Sequence, residues 1–403
     1  MNSERVVVLK FGGSSLSSTE SIDKVVSIIN NRVKEGFKVV AVVSARGKTT
    51  EMLLDDARKY APEGNPREFD MLLTTGERAS AAIIAMALSS SGISSISLTG
   101  SQAGIITDDK HTNARIVEVR PHRVRSAINE GKVVVIGGFQ GVSFKKEVTT
   151  LGRGGSDTTA VAMAAALNAE KCEIFSDVDG VYNADPTIIS EAKLLEEVSY
   201  QEMQELSEAG AKVLHSRAVE FAKSKGIEIH CKSTFDPQKA GTVIKGFESS
   251  AQRKIGVAYE KNVILVHTYE TDSDELSTVE SVLLFCDKNN VSVKQISFHQ
   301  GYKSGMVGSF IFSRKENYSC EKFIVNLKEK FTSTVEVFDD LSAVSIVGDG
   351  ISDSQNVLLS SIKMLKENSI KVFAFHTSSF RISMLVKSEN LDKSIKLMHS
   401  CLS

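Results

Sequence analysis

Short apolar runs alternate with helical patterns through roughly the first 245 residues of the chain. Continuous Val/Ile-rich runs that are separated by helices are typical of parallel strands covered on both faces. We therefore predict an α/β fold with three layers, in which a largely parallel sheet lies between helices, and expect ligands at the carboxyl ends of its strands. The predicted strands are Val6–Leu9, Val39–Val43, Ser95–Leu98, Val133–Ile136 and Glu173–Phe175.

The first predicted helix has both a start signal and an apolar stripe. Ser17 and Glu20 have the spacing of a capping box. The apolar residues that follow recur at helical intervals, and they are Ile22, Val25, Val26, Ile29 and Val33.

From about Val263 the pattern changes to two successive βαββα units. Asn289–Val293 ("NNVSV") and Asn368–Val372 ("NSIKV") occupy corresponding places in the two units, which indicates a weak internal repeat. The predicted helices lie at Thr278–Lys288, Glu321–Lys330 and Gln355–Glu367, with a last one at the end of the chain. We predict a domain over residues 1–245, a linker over 246–260 that includes "KGFESSAQRK" (Lys245–Lys254), and two further domains over 261–338 and 339–403.

Composition narrows the class of protein without identifying it. The 403 residues are 41% hydrophobic and 24% charged with a net charge of −2, which gives no electrostatic reason to expect nucleic acid or an anionic membrane as partner. The N-terminus lacks the features of a signal peptide, and no apolar run approaches the ~20 residues of a membrane helix. The five cysteines have no CxxC spacing, so neither a zinc site nor a disulfide framework is predicted. These features favour a cytoplasmic protein.

The turn "KFGGSS" (Lys10–Ser15) follows the first strand and could bind phosphate. Glycines let phosphate oxygens approach main-chain N–H groups, and the next helix adds a favourable dipole. Lys10 could neutralise charge on a transferring phosphoryl group. The turn matches neither GxxxxGK[ST] nor GxGxxG, and a strand-to-helix turn without a ligand is the alternative.

A second glycine-rich turn, "LGRGGSDTTA" (Leu151–Ala160), surrounds one arginine. The Arg153 guanidinium suits bidentate capture of a carboxylate. Asp157 could cap the following helix or hold Lys10 in place. The small residues after it would let that helix pack closely on the sheet.

A third turn, "SDVDGVYNADP" (Ser176–Pro186), has a DxDG sequence typical of calcium loops. Counted from Asp177, the positions that need Gly and Glu hold Tyr182 and Ile188, so calcium is not predicted. A bend at Asp-Gly is the plain alternative.

Together these segments resemble the aspartate kinases of the amino acid kinase superfamily, in their monofunctional bacterial form. The resemblance covers roughly the first 245 residues, and the C-terminal units resemble the tandem ferredoxin-like ACT domains of the same family. Besides the three turns, the matching motifs are "VVSARGKTT" (Val42–Thr50), "TTGERAS" (Thr74–Ser80), "GSQAGI" (Gly100–Ile105), "GGFQGV" (Gly137–Val142) and "GAKVLHSRAVEFA" (Gly210–Ala222).

The resemblance implies phosphoryl transfer from ATP to L-aspartate, which gives 4-phospho-L-aspartate for lysine, threonine and methionine synthesis. An aspartate side chain, with a pKa of about 3.9, is ionised at neutral pH, so no general base is needed. Cations must then offset the repulsion between two anions, and we expect them to be Lys10, Arg153, Lys212 and Mg²⁺. No protein ligands to the metal are predicted.

The resemblance also implies roles for particular residues. Lys10 would stabilise the transferring phosphoryl group with Asp157 organising it, while Arg153 would hold an aspartate carboxylate and Glu77 its ammonium group. The remaining aspartate pocket would be formed by Ser44, Thr50, Gly154, Gly155 and Ser156. ATP would contact Lys10, Phe11, Gly12, Gly13, Ser14, Ser176, Asp177, Tyr182, Lys212 and Val213. Purely structural readings remain for Glu77 and Lys212, and we predict His215 to be structural.

The chain departs from the family pattern mainly in its C-terminal units. Thr187 stands where a basic residue is frequent, and "ETDSDELS" and "SDSQN" replace Pro-Gly-type turns. Lys294, Phe298 and Ser379 stand where acidic or amide residues are typical. We therefore expect feedback by lysine or threonine to be weak, altered or absent.

Two other functions fit parts of the sequence. One is a related kinase, such as a glutamate, acetylglutamate or uridylate kinase, and the other is a catalytically decayed amino-acid sensor. The arginine of "GRGGSD" and the ACT units argue against a related kinase, and the intact Lys10, Glu77, Arg153 and Asp157 argue against a decayed sensor. Because ACT units expose sheet edges, a homodimer or larger homo-oligomer is expected.

Overall fold

The computed structural model describes residues 5–61, 64–247, 253–269, 277–289, 291–301, 305–315, 320–351 and 355–402. It divides into two compact units. Unit 1 comprises Met1–Asn183 and Glu191–Ser250, and unit 2 comprises Ala184–Ser190 and Ala251–Ser403.

Unit 1 is built on an eight-stranded sheet with the order β10-β12-β11-β9-β1-β2-β6-β3. All its neighbouring strands are parallel except β11 and β12, so the predicted parallel α/β fold is confirmed. The strands of unit 1 are β1 (Val6–Phe11), β2 (Lys38–Val43), β3 (Ser95–Leu98), β4 (Ile105–Thr107), β5 (Ile116–Val119), β6 (Val133–Gly137), β7 (Gln140–Ser143), β8 (Val148–Thr150), β9 (Lys171–Ser176), β10 (Glu197–Ser199), β11 (Ile229–Ser233) and β12 (Thr242–Lys245). Its helices are α1 (Thr19–Lys34), α2 (Thr49–Tyr60), α3 (Pro66–Ser90), α4 (His122–Asn129), α5 (Gly155–Leu167), α6 (Tyr200–Glu208) and α7 (Ser216–Lys225).

The core of unit 1 lies where α1 and α3 cover the central strands β1 and β2. Their apolar side chains form one buried cluster that includes Val25, Ile29, Ile84 and Leu88. Among the described residues, α3 is the one helix long and apolar enough to cross a membrane. Because Ile84 and Leu88 lie in this cluster, α3 is a core helix of the sheet fold.

The N-terminus of α1 differs from the prediction. The cap is Ser18, whose Oγ accepts a hydrogen bond from Ser21 N–H at 3.2 Å. Ser17, the predicted cap, instead donates from Oγ to Ser14 O at 2.9 Å. The capping box predicted from Ser17 and Glu20 is therefore wrong, because a 3₁₀ turn over Ser14–Leu16 comes first and shifts the helix start by one residue.

A second sheet in unit 1 has four short strands in the order β5-β4-β7-β8. These strands are three or four residues long, too short to give a clear periodic signal. Their place in the fold matters because β8 leads directly into the glycine-rich turn around Arg153.

Unit 2 contains a six-stranded antiparallel sheet with the order β14-β15-β13-β16-β18-β17. Its elements follow two βαββα repeats, as predicted, and the first and fourth strands of the series are long. They are β13 (Arg253–Tyr269), α8 (Ser277–Lys288), β14 (Gln295–Gly301), β15 (Gly305–Ser313), α9 (Cys320–Lys330), β16 (Val335–Asp349), α10 (Gln355–Glu367), β17 (Val372–Ser378), β18 (Arg381–Lys387) and α11 (Leu391–Ser400).

The long strands join the two repeats into one sheet. The stretch Arg253–Glu260 of β13 pairs with Ala343–Asp349 of β16, and Val263–Thr268 pairs with Val335–Leu341. Residues 253–260, part of the predicted linker, thus form the first half of a strand. Residues 248–252 of that linker lie outside the described residues.

Unit 2 also includes the short segment Ala184–Ser190. Tyr259 Oη donates a hydrogen bond to Asp185 Oδ2 at 2.8 Å. Asp185 Oδ1 accepts hydrogen bonds from the N–H and the Oγ of Thr187 at 2.9 and 2.6 Å. The carboxylate of Asp185 therefore fixes this segment against β13.

Candidate active site

The carboxyl ends of neighbouring parallel strands in unit 1 bring the glycine-rich turns to one edge of the sheet. Backbone hydrogen bonds connect each turn to the end of a strand that is its neighbour in the sheet. These are Gly12 N–H to Phe175 O at 3.2 Å, Ser44 N–H to Phe11 O at 3.1 Å and Gly138 N–H to Val43 O at 2.9 Å. The turns after β1, β2, β6 and β9 therefore form one continuous surface.

Lys10 and Asp157 form an ion pair at this edge. Lys10 Nζ lies 2.7 Å from Asp157 Oδ1, and their side chains are 12% and 11% exposed. Gly154 occupies the N-cap of α5, and Asp157 lies in its first turn, where the helix dipole favours negative charge. The sequence left two roles open for Asp157, which were to cap the helix or to hold Lys10. In the structure its carboxylate contacts Lys10.

The turn around Arg153 depends on a glycine at position 154. Gly154 has φ +66°, and a Cβ there would lie 2.2 Å from His215 Cβ, so no side chain fits. His215 itself caps α7, since its ring accepts a hydrogen bond from Arg217 N–H at 3.4 Å. Arg153 is exposed, as a residue that meets a ligand from solution must be.

Gly155 and Ser156, the other predicted substrate residues of this turn, begin α5 and are buried. Ser156 lies against the turn after β6, because a Cβ on Gly138 would be 2.8 Å from Ser156 Oγ.

Glu77 is a buried carboxylate beside the turn after β2. It is 4% exposed and accepts a hydrogen bond from Ala45 N–H at 3.1 Å, while its Oε2 has no hydrogen-bond partner among the described residues. Burial raises the pKa of Glu77 to about 7, and the bond from Ala45 opposes part of that rise. Ser44 and Thr50 flank this place along the chain, and both are half-buried.

The predicted phosphate turn has a close backbone approach at Gly13. A Cβ at this position would lie 2.8 Å from Ala45 O, which only glycine avoids. Ser14 then begins the 3₁₀ turn. The ring of Phe11 is fully buried and stacks on Phe175 with ring centroids 5.1 Å apart. Only the backbone of Phe11 could therefore contact a nucleotide.

The predicted nucleotide residues after β9 form a compact loop. Ser176 Oγ accepts a hydrogen bond from Val178 N–H at 3.3 Å, and Asp177 is exposed. Tyr182 Oη donates to Asp179 Oδ2 at 3.4 Å, and Lys239 Nζ lies 2.8 Å from the same oxygen. Burial and the adjacent Asp179 raise the pKa of Tyr182.

Lys212 and Val213 lie in the segment between α6 and α7, where Lys212 is exposed and Val213 is half-buried. The contact between Gly154 and His215 brings this segment next to the N-terminus of α5.

Sequence reasoning missed several residues that support this edge. Gly138 had a visible signal, since it lies in a second Gly-Gly turn after a strand and in a motif of the resemblance. Asp70, Asn113, Thr234 and Lys239 gave no such signal, because their contacts come from distant parts of the chain. Thr234, for example, bonds through its hydroxyl to Ser15 at 2.7 Å.

The sequence matches two known protein families and several aspartokinases. The Amino acid kinase family matches residues 5–233, and the ACT domain family matches residues 336–400. An aspartokinase of Mycolicibacterium smegmatis is 40% identical over 98% of this chain and 95% of its own length. An aspartokinase of Corynebacterium glutamicum is also 40% identical, with the same coverage.

Solved structures agree with these sequence matches. Escherichia coli aspartokinase III in complex with aspartate and ADP has a TM-score of 0.85 and 23% identity, and the match covers 99% of this chain and all of that one. The same enzyme in complex with lysine and aspartate has a TM-score of 0.75 over the same coverage. At this identity the likeness shows the fold.

Proposed function

The chain belongs to the aspartokinases of the amino acid kinase family, and we infer from this premise that Lys10, Asp157, Arg153 and Glu77 carry its reaction. Aspartokinases transfer a phosphoryl group from ATP to the side-chain carboxylate of L-aspartate, which begins lysine, threonine and methionine synthesis. The observation that carries the residue assignment is the Lys10–Asp157 ion pair, held among glycine-rich turns at the ligand-binding edge of the sheet.

In the proposed mechanism the nucleophile is the substrate itself. A carboxylate oxygen of aspartate attacks the γ-phosphorus of ATP, the bond to the β,γ-bridging oxygen breaks, and ADP leaves with that electron pair. Because the carboxylate is ionised at neutral pH, no proton has to be removed. Lys10 Nζ would stabilise the charge on the transferring group, and Asp157 would keep that ammonium group at the edge of the sheet.

We assign the aspartate pocket to Arg153 and Glu77. Arg153 would hold a carboxylate through two parallel hydrogen bonds. Glu77 would accept the ammonium group through Oε2, for which the described part of the chain supplies no hydrogen-bond partner. Ser44, Thr50, Gly154, Gly155 and Ser156 would complete the pocket.

We assign the ATP site to the backbone of Phe11, Gly12, Gly13 and Ser14 for the phosphates, and to the loop after β9 for the nucleoside. Its further members would be Lys10, Ser176, Asp177, Tyr182, Lys212 and Val213. The glycines and backbone N–H groups of the turn after β1 suit an anion better than a neutral ligand.

Magnesium fits this site as an ion brought in by the nucleotide. Within the described ranges no group of three or more His, Cys, Asp or Glu side chains could hold a metal. We propose that the ion would be held mainly by phosphate oxygens and water. When bound, Mg²⁺ would neutralise charge on the phosphates, and Asp157 and Asp177 are two carboxylates of this edge that would hold its water ligands.

Unit 2 would serve regulation and assembly. We propose that the enzyme is cytoplasmic. We also propose that it forms a homodimer or larger homo-oligomer, because β14 and β17 are the edge strands of the six-stranded sheet and such edges can pair with another chain. Lysine or threonine would be weak effectors or none. Residues 270–276 of "ETDSDELS" and 352–354 of "SDSQN" lie outside the described residues, so this proposal rests on Lys294 and its surroundings.

An ADP-release assay with purified enzyme, ATP and Mg²⁺ tests the function. We expect release that depends on L-aspartate and not on L-glutamate or N-acetylglutamate, and a product that hydroxylamine traps as an aspartyl hydroxamate. Release that depends on glutamate would indicate a related kinase, and no release with any acid would indicate a decayed sensor.

A further inference from the structure

We propose that Asp70 is a positioning residue that fixes the turn carrying Arg153, and this rests on the role proposed above for Arg153. Asp70 lies on α3, is fully buried, and precedes Glu77 by seven residues. Seven residues are two helical turns, so both carboxylates lie on the same face, about 10.5 Å apart along the axis.

The Asp70 carboxylate joins two separate segments of the chain. Thr150 Oγ1 donates to Asp70 Oδ1 at 2.5 Å, and Thr112 N–H donates to the same oxygen at 3.0 Å. His111 Nδ1 lies 2.6 Å from Asp70 Oδ2. One carboxylate therefore holds the end of β8 and the loop between β4 and β5 together.

The same loop holds the backbone that enters the Arg153 turn. Thr150 O accepts a hydrogen bond from Ala114 N–H at 2.8 Å. Arg217 Nη1 donates to Leu151 O at 3.3 Å and to Asn113 Oδ1 at 2.8 Å. Arg153 follows between two glycines with positive φ. Since such glycines restrict the turn little, its position is set by the segments at its two ends. These are residues 150 and 151 on one side, and Gly154 against His215 on the other.

Thr112 supplies an independent sign that this arrangement is maintained for a purpose. Its φ is +63°, a conformation that β-branched residues rarely adopt and that persists where the surroundings impose it. Its N–H lies 3.0 and 3.2 Å from the two oxygens of Asp70, so the Asp70 carboxylate is part of those surroundings. Through Asp70 and Glu77, α3 would thus set the distance between the groups that hold the two ends of aspartate.

The test compares two conservative substitutions on the same strand. Thr150→Val removes the hydroxyl that bonds Asp70, and Thr149→Val removes a hydroxyl that bonds Thr107 Oγ1 at 2.6 Å. Both threonines are fully buried, so the pair controls for the loss of one internal hydrogen bond. Asp70→Asn, which keeps one acceptor oxygen, serves as a second variant at the proposed residue.

We expect Thr150→Val to raise the KM for aspartate about tenfold, the worth of one hydrogen bond to a charged group, and to change the KM for ATP less than about twofold. Asp70→Asn should also raise the KM for aspartate, whereas Thr149→Val should leave the KM values for aspartate and ATP near those of wild type. In the Arg153→Ala background, Thr150→Val should add nothing, because its effect acts through Arg153.

Equal effects of Thr150→Val and Thr149→Val, equal rises in both KM values, or full additivity with Arg153→Ala would each overturn the positioning role. Wild-type enzyme without aspartate-dependent ADP release would instead overturn the proposed function, so the two failures are distinguishable.

Discussion

The ammonium group of Lys10 lies 2.7 Å from the carboxylate of Asp157, across the interface between β1 and the first turn of α5. A strand that starts six residues into the chain and a helix that starts at residue 155 therefore deliver opposite charges to one point. Because both side chains are nearly buried, bulk water screens the pair only weakly. The pair holds a cation in a fixed place before any substrate arrives, which is the condition for electrostatic stabilisation of a transition state.

Replacing Lys10 with methionine keeps the length of the side chain and removes its charge. We expect kcat to fall by about 10²–10³-fold, the usual effect of losing one preorganised stabilising group, with smaller changes in both KM values. Steady-state ADP release measures this. Lys38→Met, at the start of the neighbouring strand β2, is the control and should retain kcat. A Lys10→Met enzyme with normal kcat would contradict the assignment.

Arg153→Ala should raise the KM for aspartate much more than the KM for ATP. Arg153 is exposed in the free protein, and bound aspartate would cover it. Truncating one member of such a covered, hydrogen-bonded charge pair costs about 2–5 kcal/mol, so a rise of at least about 30-fold is expected. Arg153→Lys keeps the charge without the planar fork and should fall between alanine and wild type. Circular dichroism checks that the variants are folded, and aspartate saturation like that of wild type in Arg153→Ala would refute the role.

The pKa of Glu77, raised by burial to about 7, predicts a pH dependence of substrate binding. Only the carboxylate form can pair with the ammonium group of aspartate, so kcat/KM for aspartate should rise with pH up to about 7 and then level off. Glu77→Gln should abolish this rise and lower kcat/KM at pH 8. A wild-type profile that is flat between pH 5.5 and 8 would count against the assignment.

Glu77 should also make the stability of the fold depend on pH, and stability should fall with rising pH where substrate binding improves. The folded state holds the Glu77 proton more tightly than the unfolded chain does, so ∂ΔG/∂pH of unfolding is negative between the ordinary glutamate pKa and about 7. The contribution of Glu77 to stability is therefore complete at low pH and is lost as the pH rises through about 7. Urea midpoints of wild type and Glu77→Gln at pH 5.5 and 7.5 measure the difference, which glutamine should remove.

The sequence predicted the elements whose patterns are long and continuous. The strand Ser95–Leu98 and the helix Gln355–Glu367 have their predicted bounds, because each is an apolar or amphipathic run with clear ends. The predicted start of α1 is one residue early, since Ser17 and Ser18 offer the same chemistry and only the preceding 3₁₀ turn decides between them.

The site was predictable only as far as its residues share a local motif. Lys10, Arg153 and Asp157 lie in glycine-rich turns, and the sequence left open whether Asp157 meets Lys10. Asp70 lies in an ordinary helical stretch, and its partners Thr112 and Thr150 are 42 and 80 residues away. Contacts of this kind depend on the packing of the short strands β4 and β8, which the sequence pattern did not reveal.

Unit 2 offers a prediction about stability. Tyr259 donates to the Asp185 carboxylate, and burial together with that bond raises its pKa. Tyr259→Phe should lower the free energy of unfolding by about 2 kcal/mol, as for a hydrogen bond to a charged partner. Tyr269→Phe removes a similar hydrogen bond to Glu336 at the surface. This substitution should change the free energy of unfolding by less than about 1 kcal/mol. Equal urea midpoints for the two variants would contradict this account.

The surroundings of Glu260 predict how the enzyme responds to amino acids. Glu260 is buried, and its two oxygens are engaged by Lys294 and by the hydroxyl of Ser313. Lys294 stands where the family resemblance places an acidic residue, so an effector's ammonium group would meet a cation of like charge. We expect isothermal titration to show no saturable binding of lysine or threonine below about 1 mM.

The matched control for this titration is Escherichia coli aspartokinase III, which has been crystallised with lysine and should give a clear lysine isotherm under the same conditions. ADP release by the present enzyme should likewise change less than twofold when either amino acid is added at about 1 mM. Micromolar binding of lysine or threonine would show that Lys294 does not block an effector, and would assign ordinary feedback to the ACT region despite its altered residues.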